Sequence, residues 1–236
     1  MKSRAVASHS ALRALLKEYL IGGRALEIGP GYLPLLSPVG DSSHFIDVDR
    51  RAVQRLGRVG GEALVGSAQG LPYPSETFDL VCAFDVLEHT KEDREAFAEI
   101  NRVLKGGGTF IFSVPLFEEY WSPFDELAGH KRRYQPADLQ RVLKEAGFEV
   151  EKFLCPRNLL TSLFESKIVR PLVVSLRIFL ALAERTAPVL VPALYLLLAR
   201  SPLDQFRGVG RVPWEDGHLL GEIKKHHVLI AVCRKS

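Results

Sequence analysis

Two glycines and an acid, each set at the end of an apolar run, carry the clearest chemical meaning in this 236-residue chain. Ala25-Leu26-Glu27-Ile28-Gly29-Pro30-Gly31 reads as a short apolar strand closing in a Gly-x-Gly turn. Such a turn lets backbone N–H groups approach a ligand with no Cβ in the way. Its other reading is plain punctuation between elements. Asp47 follows a second apolar run, His44-Phe45-Ile46. An acid at the tip of the second strand of an α/β unit can accept hydrogen bonds from a ribose diol. His89 and His130 suit proton transfer, because an unperturbed imidazole titrates at about 6.5. Either histidine also reads blandly, His89 as a helix cap and His130 as a loop side chain bonded to backbone. Arg132 and Arg133 offer forked donors for an anion, or a solvated surface pair. No P-loop, Ser-His-Asp spacing or zinc pattern is evident, and His226-His227 has no partner cysteines, so no metal is expected.

The elements that must position these residues follow from periodicity. Leu12, Leu15, Leu16, Tyr19 and Leu20 recur at helical spacing after Ser10, a candidate cap, and Gly22-Gly23 stops the helix. After Gly31, Pro34 and Pro38 exclude a long helix and predict a loop or single turn. Asp49 is placed to cap a helix over Arg50–Leu56. Glu62–Val65 is a weak third strand, Phe78–Phe84 a fourth and Thr109–Val114 a fifth. Between the last two, a helix over Glu92–Leu104 stops at Gly106-Gly107-Gly108. Leu116–Gln135 is long and irregular, as functional loops often are. A helix opening at Pro136 and a sixth strand at Gly147–Val150 follow. His227–Arg234 is the last strand.

The ordered series Gly29-x-Gly31, Asp47, Leu71-Pro72-Tyr73, Phe78-Asp79-Leu80-Val81, Val86-Leu87-Glu88-His89 and Arg102–Gly108 resembles the class I S-adenosylmethionine (SAM)-dependent methyltransferases, in their broad small-molecule branch. The resemblance covers roughly Arg24 to Phe153 and the last strand. It implies an α/β, Rossmann-like, seven-stranded, mostly parallel sheet with an antiparallel last strand. A helical insertion then stands between strands six and seven. It implies SAM as cofactor, gripped by Glu27, Gly29, Gly31, Asp47, Ser67 and Ala68, with Phe84 over the adenine or ribose face. Many relatives carry an acid where this chain has Ser67, an uncharged and weaker acceptor. The His130 segment is similar to the histidine loop of quinone-pathway O-methyltransferases. His130 and His89 are thus the catalytic candidates for a hydroxyl acceptor, and Arg132, Arg133 and Tyr134 the acceptor-binding ones.

The expected domains are a SAM-binding unit over 1–154 and 227–236, and an apolar, basic insertion over 155–226. The insertion holds ten Lys/Arg against six Asp/Glu, so the basic excess of a chain with net charge +3 lies there. Its long apolar run, Ala187 to Ala199, is shorter than the roughly 20 residues that span a bilayer. A lid, a homodimer surface and a membrane contact are its three readings. The three cysteines have no C-x-x-C spacing and read as reduced core residues. No nucleic-acid partner is expected, because no basic block exceeds Lys131-Arg132-Arg133. The expected location is cytoplasmic, peripheral on the inner face of a membrane. The substrate would be a small molecule, lipid-linked or aromatic. Two other functions fit parts of the pattern. One is a nicotinamide-dependent oxidoreductase, which Leu33-Pro34 disfavours where close helix packing needs a small residue. The other is a non-catalytic, membrane-associated binding protein.

Overall fold

A computed structural model describes residues 9–20, 22–37, 42–58, 60–157, 175, 205–209 and 228–236. The strands are β1 (Ala25–Ile28), β2 (Ser43–Asp47), β3 (Glu62–Val65), β4 (Phe78–Phe84), β5 (Leu104–Pro115), β6 (Phe148–Arg157), β7 (Gln205–Val209) and β8 (Val228–Lys235). The helices are α1 (His9–Tyr19), α2 (Arg50–Arg58), α3 (Asp93–Val103), α4 (Pro123–Ala128) and α5 (Pro136–Glu145). One sheet takes the order β3-β2-β1-β4-β5-β8-β6-β7. The pairs among β1 to β5 are parallel, and β8 lies antiparallel between β5 and β6. This is the expected seven-stranded arrangement with an antiparallel last strand. To it the structure adds an edge strand, β7, antiparallel to β6 and drawn from within the insertion. The rest of 155–226, apart from Cys155 to Arg157 in β6 and Ser175, lies outside the described residues, and with it the lid and dimer readings.

The central strands are mostly apolar because both faces of the sheet are covered. Alternation along β5 sorts its side chains between two cores. Phe110 and Phe112 point to the side of α3 and α5, where they meet Phe97, Ile100, Leu139, Val142 and Leu143. Ile111 points to the side of α1, with Leu12, Leu15, Leu16, Phe45 and Phe84. The Phe110 and Phe112 rings stack at 4.7 Å, and Phe97 meets both edge-on. Each such side chain, fully buried, contributes roughly 1.5–3 kcal/mol. Cys82 and Cys233 are buried in these cores.

Three local expectations change. Helix α1 begins at His9, so Ser10 lies inside the helix and does not precede it as a cap. The glycines 106–108 do not merely stop α3: the chain enters β5 at Leu104, and the register against β4 slips between Phe78–Leu104 and Leu80–Thr109. The glycines absorb that irregularity. A Cβ on Gly108 would stand 2.9 Å from the Lys105 carbonyl oxygen. The peripheral membrane location is corrected as well. Among the described residues no helix is long and apolar enough to cross a membrane, and the segment on which that expectation rested supplies a sheet strand.

The fold matters to function through one edge. The chain builds β1, β2 and β3 outward in one direction, then returns to place β4 and β5 on the other side of β1. That reversal opens a crevice above the carboxyl ends of β1 and β4, the usual binding place in an open α/β sheet.

Candidate active site

At the carboxyl end of β1 the chain turns sharply, with Gly29 at φ 64° and Gly31 at φ 61°. Only glycine takes that conformation without strain. A Cβ built on Gly31 would meet nothing within 4 Å, so the turn borders open space. The Gly31 N–H donates to Asp47 Oδ2 at 2.9 Å, and the Asp49 N–H donates to Asp47 Oδ1 at 2.9 Å. Asp47 is thus fixed beside the turn, with lone pairs left on a carboxylate that can accept about four hydrogen bonds. Asp49 accepts the Arg51 N–H at 2.8 Å, the expected cap of α2. The segment from Gly31 to Ser37 is a loop, as Pro34 requires.

Glu27 takes a different position from the one the cofactor reading gave it. Its side chain is fully buried and accepts the N–H groups of Leu35 and Leu36 at 2.8 and 2.9 Å. It therefore holds the loop that follows the glycine turn, and Leu35 and Leu36 pack below it in the α1-side core. Glu27→Gln keeps one acceptor oxygen and loses the charge. It is expected to cost about 1–2 kcal/mol, seen as a fall in Tm of about 4 °C.

The remaining cofactor candidates divide. Ser67 Oγ accepts the Gln69 N–H at 3.3 Å in a tight turn that also pairs Ser67 with Gly70, beyond the end of β3. Ala68 packs into the core. Phe84 is buried among α1-side residues, so it supports the sheet and does not present a face to a ligand.

Beyond β4 the structure gathers what the sequence leaves scattered. Asp85 adopts φ 51°, rare for a residue with a side chain, and is held by Ser113. The Ser113 hydroxyl donates to Asp85 Oδ1 at 2.7 Å and accepts the Asp85 N–H at 3.0 Å. Phe117, just past β5, adopts φ 61°. Two strained residues at the ends of neighbouring strands mark this edge, since such strain collects at working sites. Leu87–His89 then forms one 3₁₀ turn that presents Glu88 and His89.

His130 comes to this turn from the long loop. Its Nδ1 lies 2.8 Å from Asp125 Oδ1 and its Nε2 3.9 Å from Glu88 Oε1. The His89 ring stands edge-on to it at 4.9 Å. The Lys131 N–H donates to the Glu88 carbonyl at 2.7 Å, tying the two segments together. Asp125 is fully buried and accepts from the Ser122 N–H and hydroxyl and from both ends of the Arg133 fork. Burial pushes its carboxyl up, but His130, Arg133 and Ser122 together outweigh that and hold it at about 2. Sequence reasoning passed over Asp125. The signal was present as Ser122-Pro-Phe-Asp125, a capping box with proline at the first helical position.

The acceptor-binding residues are committed elsewhere. Arg133 pairs with Asp125 and also donates to the Leu116 carbonyl at 3.2 Å. Arg132 pairs with Asp93 at 2.8 Å and donates to the Thr90 and Lys91 carbonyls. Tyr134 is buried, its hydroxyl donating to the Leu87 carbonyl at 3.4 Å, and burial pushes its pKa well up. All three build the loop and its anchorage instead of facing an open cleft. Tyr134 does so through its backbone too, exchanging hydrogen bonds with Pro115 and Phe117.

A family model described as a methyltransferase domain matches residues 26–112, which run from β1 into β5. A probable S-adenosylmethionine-dependent methyltransferase of Mycolicibacterium smegmatis is 35% identical over 91 residues, 38% of this chain and 35% of that protein. A solved structure from Thermotoga maritima, a SAM-dependent methyltransferase and possible histamine N-methyltransferase, superposes with a TM-score of 0.62 at 16% identity. It covers 97% of this chain and 89% of that one. The chain has the fold of the class I SAM-dependent methyltransferases, and its residues 26–112 carry the methyltransferase-domain pattern. This chain spans about a third of the Mycolicibacterium relative's length. The fold itself does not choose the reaction. The [4+2]-cyclase SpnF superposes equally well, with a TM-score of 0.62 at 18% identity, covering 99% of this chain and 87% of that one. The nicotinamide reading needs a close-packed helix after the glycine turn, where Gly31 to Ser37 is a loop. The residues at the crevice fit the family's cofactor: an open glycine turn for its backbone contacts and a fixed carboxylate for its ribose.

Proposed function

We propose that the chain binds SAM and transfers its methyl group to a hydroxyl oxygen of a small-molecule acceptor, aromatic or lipid-linked. The contact between Gly31 and Asp47 carries this reading, because it joins an open backbone turn to a carboxylate at the switch point of the sheet. Asp47 would take the ribose hydroxyls, the Gly29–Gly31 turn the polar tail, and the Ser67–Ala68 turn the adenine. When bound, the cofactor supplies an electrophilic methyl on a sulfonium. The chain's share is orientation, which contributes several kcal/mol by itself, and removal of the acceptor proton. His130 suits the second task. Its Nδ1 faces Asp125, which holds the ring and stabilises the charge it gains, and its Nε2 faces the Glu88–His89 turn. That turn leaves β4, and β4 is the direct neighbour of β1.

Calorimetry with SAM and transfer of labelled methyl into aqueous and solvent-extracted small-molecule fractions test the proposal together. The expected result is saturable SAM binding and label in one fraction. His130→Ala should cut that transfer by about 10²–10⁴-fold with SAM affinity unchanged. An absence of SAM binding removes the reading. Label appearing on nitrogen or carbon, or transfer that survives His130→Ala, removes its hydroxyl part.

A further inference from the structure

Glu88, His89 and His130 bring three metal-ligating side chains together where the 3₁₀ turn after β4 meets the long loop. One oxygen or nitrogen from each lies within 4.8 Å of those from the other two. Glu88 is buried, and His130 is only one-tenth exposed. The contact between His130 Nε2 and Glu88 Oε1 is 3.9 Å. That is about 1 Å longer than a charge-assisted hydrogen bond, so no proton is shared across it. It is close to the separation of about 3.4 Å between two ligands of one tetrahedral ion bound at 2.0–2.2 Å.

The tautomers agree with that spacing. His130 Nδ1 faces a carboxylate oxygen of Asp125, and His89 Nδ1 faces the Gly129 carbonyl oxygen at 3.2 Å. Both partners accept, so both Nδ1 atoms donate. That leaves Nε2 as the ligating atom of each ring, the arrangement in which an outer oxygen orients a metal-binding imidazole. The outer acceptors are themselves fixed. Asp125 receives four further hydrogen bonds from Ser122 and Arg133, and Gly129 caps α4 at φ 80°.

We infer that Glu88, His89 and His130 form a binding site for one divalent cation of the zinc class, with positions left open for an oxygen ligand. Two imidazoles and one carboxylate suit zinc and its borderline neighbours, whereas magnesium and calcium take oxygen sets. The site stands on its own geometry. Its use rests on the methyl-transfer reading: an acceptor hydroxyl held at the cation gives up its proton to water near neutral pH, and His130 then serves as ligand in place of base. The sequence pattern hides this site because its ligands come from two distant segments with no short spacing between them.

The test uses the full chain without a histidine tag, dialysed against a chelator, with no SAM or acceptor present. Zn²⁺ calorimetry is expected to give one equivalent, and Co²⁺ an absorbance band in the visible. His89→Ala and His130→Ala should each weaken Zn²⁺ binding at least about 100-fold, and Asp125→Asn about 10–100-fold as a positioning residue. SAM calorimetry on the same variants reports whether they remain folded. A wild-type chain that binds no stoichiometric Zn²⁺ overturns the inference, whatever the variants do. So does Zn²⁺ binding that persists in His89→Ala, or a preference for Mg²⁺. A chain that binds Zn²⁺ but not SAM keeps the site and loses the transfer reading.

Discussion

Asp47→Ala is expected to weaken SAM binding by at least about a hundredfold, near 2.7 kcal/mol, as measured by calorimetry on the purified chain. Two losses combine. The carboxylate is a charged acceptor, and hydrogen bonds to a charged group contribute about 1.5–3 kcal/mol. It also ties down the turn itself, because it accepts the N–H groups of Gly31 and Asp49 from a position only 6% exposed. Removing it leaves those amides without their partner and frees Gly31 from the geometry that makes it useful. Asp47→Asn keeps one acceptor oxygen and should fall between wild type and alanine. An alanine variant that binds within threefold of wild type, with its circular dichroism intact, would place the cofactor elsewhere.

Asp125→Ala is expected to be the most destabilising single change in the loop, at about 3–5 kcal/mol, with a fall in Tm of roughly 10 °C. The reason is what stays behind. Arg133 is 7% exposed, and both ends of its fork point at Asp125. Without the carboxylate it becomes a buried, unpaired cation, and His130 and Ser122 lose their acceptor as well. The acid limb of stability should respond in a definite direction. The folded carboxyl is held at about 2, below its ordinary value. Its contribution is therefore complete above the unfolded pKa and is lost as pH falls through the folded one. Asp125→Asn should flatten stability between about pH 4 and pH 2, followed by denaturant titration at fixed pH. An unchanged acid limb would show that Asp125 does not carry this charge. Arg133→Lys should not rescue the pair, because a single ammonium cannot reproduce a two-ended fork.

These two residues sit at opposite ends of what the chain discloses before it folds. Asp47 was legible from its place after an apolar run and a glycine turn. Asp125 was passed over, although its capping box is written in four consecutive residues, because capping explains a helix and says nothing of what else the carboxylate meets. Arg132, Arg133 and Tyr134 drew attention as candidates to bind the acceptor. The structure pairs all three with neighbouring side chains and carbonyls, where they anchor the loop that delivers His130.

The family resemblance implied the sheet's parallel order and closing strand, and the amino-acid sequence by itself determined the strands, the glycine turn, the loop enforced by Pro34 and the acid beside them. Those features arise from backbone sterics and from apolar periodicity, which act between near neighbours and so leave a readable trace. Tertiary structure alone decided that Glu27 binds loop amides, that Phe84 is core, and that β7 extends the edge. It also brought Glu88 and His89 to His130 and Asp125. Such meetings depend on how far apart two segments finish after the intervening chain has packed, a quantity that no local pattern of side chains encodes.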